Sequence, residues 1–298
     1  MFEQFPLVVE PPGDAAPLIE AAARAAEIWH LPPPELLRVG ANGVFASDDV
    51  VLRVGRATAP MGVALKLASR LGALGVRVSA PARRDWLDFD GGLSVTAWQR
   101  IDVEPGAPID WERVGAMVAK VHLLDPETVE HPLPFCADFP WWNFDEMIHE
   151  ADRVDPEARA GLTRALTDNE WWIGAARRSR LVVCHGDVHP GNVLVDAHGP
   201  VLIDWDLLCV GPPEWDHGPL MTWTERWGGE PGIYEAFAAG YGKPIDGDVA
   251  EAIAGMRLVA ATLMRLRRAR LDPQYCEEAK RRLAYWRGDP HPPMWRAQ

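Results

Sequence analysis

Three short apolar runs lie close together late in the chain, and each meets a polar group at its end. "LVVC" (Leu181–Cys184) stops at His185, "NVLVD" starts on Asn192 and "PVLID" stops on Asp204. Apolar runs of this length between turn residues read as buried strands. Ala197–His198–Gly199 joins the last two as a hairpin. The stretch therefore predicts strand, loop, strand, turn, strand. Asn192 and Asp204 flank the open end of that hairpin, and Asp187 lies on the loop feeding it. Two carboxylates and an amide are thus expected to converge.

Such a convergence needs a physical reason, because like charges repel and a bare buried carboxylate is unfavourable. A hard cation removes the difficulty. Oxygen-only ligands suit Mg²⁺, which keeps waters and shares phosphate oxygens. Asn192 and Asp204 then hold metal, and Asp187 is left to accept a proton from an incoming hydroxyl. Phosphoryl transfer divides its labour in this way, since its catalysis is mainly positioning and charge neutralisation. The spacing agrees. Four residues separate Asp187 from Asn192, as in the kinase loop H-R-D-x-x-x-x-N, with Gly186 in place of the arginine.

The rest of the chain has two characters. Apolar spacing predicts a helix over 15–30, ended by "LPPPE". "ELLRVGANGVFAS" and "DVVLRVGR" read as strands around a turn at Ser47–Asp49, and Gly62–Leu74 reads as a helix ended by Gly75. Two more strands flank Gly91–Gly92. After Ile101 the pattern turns helical, over 111–122, 143–153, 156–178, 232–242 and 246–287. The expected fold is α+β: a β-rich unit over 1–100 and a larger helical unit over 101–298.

Composition narrows the function. The net charge of -13 argues against a sequence-independent grip on nucleic acid, which needs clustered positive charge. No apolar run is long enough to span a bilayer. The first residues, "MFEQFPLVVEPPGD", lack the basic start and apolar core of a signal peptide. Four scattered cysteines, with no C-x-x-C pair, predict neither a disulfide framework nor structural zinc, so the cytoplasm is the expected location. The arginine-rich stretches "RLRRAR" and "KRRLAYWR" read as solvated helix faces. The oligomeric state is left open.

"HGDVHPGNVLVD" followed by "VLIDWD" resembles the aminoglycoside phosphotransferase and choline kinase-like family, whose fold is similar to that of protein kinases. The resemblance spans most of the chain and implies a two-lobed protein kinase-like fold with a small β-rich N-lobe and a helical C-lobe. It implies ATP or GTP as phosphoryl donor, Mg²⁺ on Asn192 and Asp204, and Asp187 as catalytic base. Asp206 becomes an accessory acid near the metal. "GPPEWDHG" is similar to a downstream family segment, in which Asp216 would brace the catalytic loop, although this copy is degenerate. His185 and His189 are read as holding the loop by hydrogen bonds rather than as zinc ligands, because His189-Pro190-Gly191 is a turn and no compact set completes a tetrahedron. Trp205 is read as packing and His217 as a surface or loop residue.

The front of the chain departs from the family pattern. Kinase-like enzymes grip phosphate with a strand lysine, paired with a glutamate on the next helix. Here no lysine precedes Lys66, and no glutamate lies between Glu35 and Glu104. Arg53 occupies the strand position and can bind phosphate bidentately, but the following helix offers no acid. The phosphate-covering loop has Gly40, Asn42 and Gly43, whose backbone can present N–H groups. The resemblance places nucleobase recognition on the backbone of Trp98, Gln99 and Arg100. The acceptor is expected to be a small molecule with a hydroxyl, such as an aminoglycoside or another amine-bearing compound, near Glu214, Asp216, Glu225, Trp223 and Trp227. Two other readings stand beside this one. The missing glutamate suits a kinase-fold protein that binds nucleotide or ligand with little turnover. The same acids also suit a metal-dependent hydrolase, which would form product without an acceptor.

Overall fold

The computed structural model describes residues 15–39, 42–56, 61–129, 133–138, 143–150 and 154–296. Two compact units emerge. The first holds the described residues up to Ile109 together with Val193–Leu207. The second holds Asp110–Thr128, the described part of 133–192, and the chain from Leu208 onward.

In the first unit, α1 (Ala16–Ile28) buries Leu18, Ala21, Ala22, Ala25 and Ala26 along one face. Pro17 sits in its first turn, where no N–H is required. Prolines 32–34 then hold the chain extended. Strands β1 (Glu35–Val39), β2 (Gly43–Ser47), β3 (Val50–Arg56), β4 (Leu87–Phe89) and β5 (Leu93–Gln99) form one antiparallel sheet in the order β1-β2-β3-β5-β4. The β2–β3 turn places Asp48 at φ 55°, a left-handed conformation that Asp tolerates through local hydrogen bonding. Helix α2 (Met61–Ala73) ends before Gly75, at φ 72°, the usual use of glycine after a helix. The α1 face closes the core with Phe45, Leu52, Val54, Val95 and Ala97. Burying Leu18 alone contributes roughly 1.5–3 kcal/mol.

The boundary expected after Arg100 does not hold, because a later hairpin returns to this unit. After β6 (Val182–Cys184) of the second unit, β7 (Val193–Asp196) and β8 (Gly199–Leu202) pair with Val193 opposite Leu202. The hairpin is sewn to residues 77–79 by Leu202 N–H to Arg77 O (2.9 Å) and Ser79 N–H to Leu202 O (3.2 Å). The Arg77 guanidinium adds bonds to Gly199 O (3.0 Å) and Asp196 (2.6 Å).

The second unit contains α3 (Trp111–Val121), α4 (Phe144–Glu150), α5 (Pro156–Asn169), α6 (Trp171–Ala176), β9 (Cys209–Gly211), α7 (Glu214–Met221), α8 (Trp223–Trp227), α9 (Ile233–Tyr241), α10 (Gly247–Leu271) and α11 (Cys276–Arg287). β6 pairs with β9 antiparallel. Two predicted helices are each two helices. The 156–178 segment is divided at Glu170, whose backbone stays right-handed and bonds Leu166 O (2.8 Å), while Asn169 Nδ2 also reaches Ala165 O (2.6 Å). The 246–287 segment breaks at Asp272–Pro273, since proline supplies no N–H and disfavours helix at the residue before it. Glycines let α3 and α9 approach closely. A Cβ on Gly115 would lie 2.0 Å from Phe237 O, and one on Gly240 1.7 Å from Glu112 O.

Among the described residues, no helix is long and apolar enough to cross a membrane. All four cysteines are free thiols. His217 is not a surface residue. It is buried on α7, packed edge-on against Tyr234, Phe237 and Tyr241.

Candidate active site

The loop after β6 is braced from α7. Asp216 is fully buried and accepts the N–H of His185 (2.9 Å) and of Gly186 (2.7 Å). It also meets His122 Nε2 at 3.0 Å, and His122 Nδ1 meets Tyr241 Oη at 2.9 Å. Burial opposes the Asp216 charge, but His122, His185 and the Gly186 N–H together hold its pKa below the ordinary value. His122, Cys184 and Asp216 offer ligand atoms within 4.8 Å of one another. Both His122 nitrogens and both Asp216 oxygens are spent on these hydrogen bonds, so the group reads as a brace. Gly186 turns the loop at φ 94°, a region open to glycine. Asp187 N–H then donates to His185 Nδ1 (3.3 Å).

Asp187 is surrounded by donors on its own side of the unit. Gly191 N–H donates to His189 Nδ1 (3.1 Å), which leaves the His189 proton on Nε2, facing Asp187 Oδ2 at 3.3 Å. Asn192 Nδ2 donates to Asp187 O (2.9 Å) and Oδ2 (3.2 Å). Arg257 of α10 forms a close ion pair with Asp187 Oδ1, and its guanidinium lies 5.1 Å over the Trp215 ring. Burial pushes the Asp187 pKa up, yet His189 and Arg257 outweigh it and hold the carboxyl well below the usual range. Asp187 is therefore ionised at neutral pH.

The hairpin exit and the sheet meet within the first unit. Asp204 has φ 64°, in the left-handed region that Asp enters more readily than most residues. Its Oδ1 lies 3.6 Å from the Arg53 guanidinium. Asp206 is closer: it forms a short ion pair with Arg53 and accepts Asn42 Nδ2 (3.1 Å). Arg53 thus has a carboxylate partner on the hairpin exit rather than on the following helix. Gly55 makes room for this cluster, since a Cβ there would sit 1.7 Å from Asn42 Oδ1.

Other expected site residues are placed differently. Gly40 lies outside the described residues. Gly43 faces packing, with a built Cβ 2.7 Å from Phe45 Cε2. Gln99 N–H is given to Ala80 O and Arg100 N–H to Asp49 O, both at 2.8 Å. Two of the three amides expected to meet a nucleobase there are therefore already used, and the Trp98 indole bonds Thr96 Oγ1 (2.9 Å). Glu214 is buried and accepts Asp246 N–H (2.7 Å). With Asp216 also committed, Glu225 is the one of the three nominated acids left exposed. Trp223 and Trp227 stack on each other (5.2 Å). Trp205 is buried, in keeping with packing. Arg257 and His122 were not singled out from sequence. A lone arginine in the apolar run "GMRLVAATL" was the signal for the first. A histidine four residues past Val118, on the apolar face of α3, was the signal for the second.

Taken separately, each residue offers an oxygen of the kind a hard cation takes: Asn192 gives its amide nitrogen to Asp187, which leaves its carbonyl oxygen, and Asp204 carries a partly exposed carboxylate. The braced loop keeps the D-x-x-x-x-N spacing of the kinase catalytic loop, with an aspartate following on the next hairpin. The chain belongs to the phosphotransferase enzyme family, whose model matches residues 44–259. Solved structures show the same fold. A spectinomycin phosphotransferase in complex with ADP and spectinomycin is 15% identical, with TM-score 0.66 over 92% of this chain and 94% of that one. A GDP complex of aminoglycoside 2'-phosphotransferase-IIIa is 16% identical, with TM-score 0.67 over 92% and 99%. A choline/ethanolamine kinase family protein from Mesorhizobium loti is 22% identical, with TM-score 0.64 over 90% and 93%. The expected α+β, two-lobed protein kinase-like fold is thereby established. No curated protein matches the chain.

Proposed function

We propose that this phosphotransferase moves the γ-phosphate of ATP or GTP to a hydroxyl of a small molecule, with Asp187 as the base. The observation carrying the reading is the ionised Asp187 carboxylate, fixed by Arg257, His189 and Asn192 on a loop braced through Asp216. Asp187 orients the acceptor hydroxyl and takes its proton. Arg53, oriented by Asp206, grips the phosphates. Asn192 and Asp204 would hold Mg²⁺, which neutralises phosphate charge when bound. The adenine and guanine nucleotides and the aminocyclitol bound by the similar structures support a nucleotide donor and a hydroxyl-bearing acceptor. For an amine on that acceptor, Glu225 is the nominated acid that is not already committed. The Asp206 pairing gives Arg53 a carboxylate partner, which supports turnover over a binding protein with the same fold.

The test is nucleotide consumption by the purified protein with Mg²⁺ across aminoglycosides, choline, amino sugars, macrolides and nucleosides. Acceptor-dependent release of nucleoside diphosphate is expected, falling by about 10²–10⁴-fold in Asp187→Asn. Turnover without any acceptor would favour a hydrolase. Undiminished transfer by Asp187→Asn would overturn the assignment of the base.

A further inference from the structure

A column of aromatic rings crosses the second unit and ends on the catalytic loop. Trp295 is 2% exposed and packs edge-on against Trp227, with centroids 5.3 Å apart at 84°. Trp227 stacks on Trp223 (5.2 Å, 13°), and Trp223 stacks on His189 (5.3 Å, 13°). His189 is the ring whose Nε2 faces Asp187.

The far end of the column is tied down at several points. Trp295 N–H donates to Arg226 O (2.7 Å), and Arg296 N–H donates to Glu278 Oε1 (2.8 Å). Arg281 and Arg282 donate to Met294 O and Arg296 O. Arg282 and Glu278 are both buried and paired at 3.0 Å. The Arg282 guanidinium lies over Trp227 (4.8 Å) and Trp295 (5.3 Å). A buried ion pair tolerates little rearrangement, because separating its partners leaves an uncompensated charge. Trp295 Nε1 is buried with no hydrogen-bond partner among the described residues. Leaving a donor so is unfavourable, so the position uses the ring and not the N–H.

We propose that Trp295 is a positioning residue for the catalytic loop: through Trp227 and Trp223 it fixes the His189 ring, and with it the Asp187 carboxylate. Trp223 and Trp227 then serve as links in the column instead of as a wall for the acceptor. The effect on turnover rests on the kinase reading given above, whereas the effect on His189 does not.

The test uses the full chain with Trp295→Ala, Trp295→Phe and Trp227→Leu. The first readout is the imidazole proton resonance of His189, assigned by its loss in His189→Gln. The Trp223 ring current sets its position. The second is kcat and nucleotide KM, measured far below each variant's unfolding midpoint. In Trp295→Ala the His189 resonance should move and kcat should fall about tenfold or more, with nucleotide KM within about twofold, as expected when a reacting group is displaced by a fraction of an ångström. Trp295→Phe should restore most of both. A lower unfolding midpoint with the His189 resonance and kcat unchanged would make the tail a stabilising strap only and overturn the proposal. Should Trp295→Ala fail to fold, Trp227→Leu decides, since it leaves Trp223 in place and moves the His189 resonance only if the column transmits. If nucleotide consumption needs no acceptor, the kinase reading fails while the resonance still judges the column.

Discussion

Arg53 and Asp206 are 153 positions apart in sequence and bonded in space. That pairing carries a prediction about nucleotide affinity. A charge-assisted hydrogen bond is worth roughly 1.5–3 kcal/mol, so Asp206→Asn should weaken nucleotide binding about 10- to 100-fold, as read by calorimetry with a non-hydrolysable triphosphate. Unchanged affinity would show that Asp206 does not orient Arg53. Gly55→Ala should perturb the same cluster by pushing on Asn42. The double variant with Asn42→Ala should recover part of the loss, because the two sites share one contact. Legibility at this scale followed local spacing. Asp187, Asn192 and Asp204 stood out because kinase-like chemistry fixes their separations within one short stretch. The partner of Arg53 could not be read that way, since the helix expected to supply it holds no acid and the hairpin exit gives no sign of reaching β3. Arg257 was hidden for a similar reason: its target is a loop 70 residues away.

Strands and helix starts were readable because alternation and turn residues are local signals; the helix breaks were not. Nothing in the apolar spacing around Glu170 marks a division, and the backbone there stays right-handed, with Glu170 N–H still bonded to Leu166 O (2.8 Å). His217 read as a surface or loop residue because its burial comes from α9, which is distant in sequence. Burial pushes its imidazole down from 6.5 to about 4. Its folded pKa is below the unfolded one, so the stability it lends is whole above pH 6.5 and is lost as pH falls from there through about 4. The range corresponds to about 3 kcal/mol at most. Denaturant unfolding at pH 7 and pH 5 should show less acid destabilisation in His217→Phe than in the parent; equal slopes would assign the sensitivity to other groups. At the start of α10, Asp246 accepts from Asp248 N and Val249 N. Asp246→Ala should cost about 1 kcal/mol, seen as a lower unfolding midpoint.

At the scale of the whole molecule, ligand linkage tests the metal assignment. A ligand that binds only the folded chain stabilises it by about 2.7 kcal/mol at a hundred times its Kd. Nucleotide with Mg²⁺ should therefore raise the unfolding temperature more than nucleotide alone. Asp204→Asn and Asn192→Ala should each remove the part that depends on Mg²⁺, and a full Mg²⁺ effect in both variants would remove these residues as ligands. The two-unit organisation was legible as a change from strands to helices near residue 100. The return of the β7–β8 hairpin was not, because its bonds to residues 77–79 are made by backbone that no composition reveals. That return has a consequence for how the protein is made. The five strands of the first sheet leave the ribosome by Gln99, but the segment that completes their unit ends only at Leu207. At ordinary synthesis rates the early sheet waits on the order of ten seconds for its last piece. During that interval Arg53 is a cation without its carboxylates, and a nascent chain halted before Leu207 holds a sheet covered by α1 but lacking the hairpin that bonds residues 77–79.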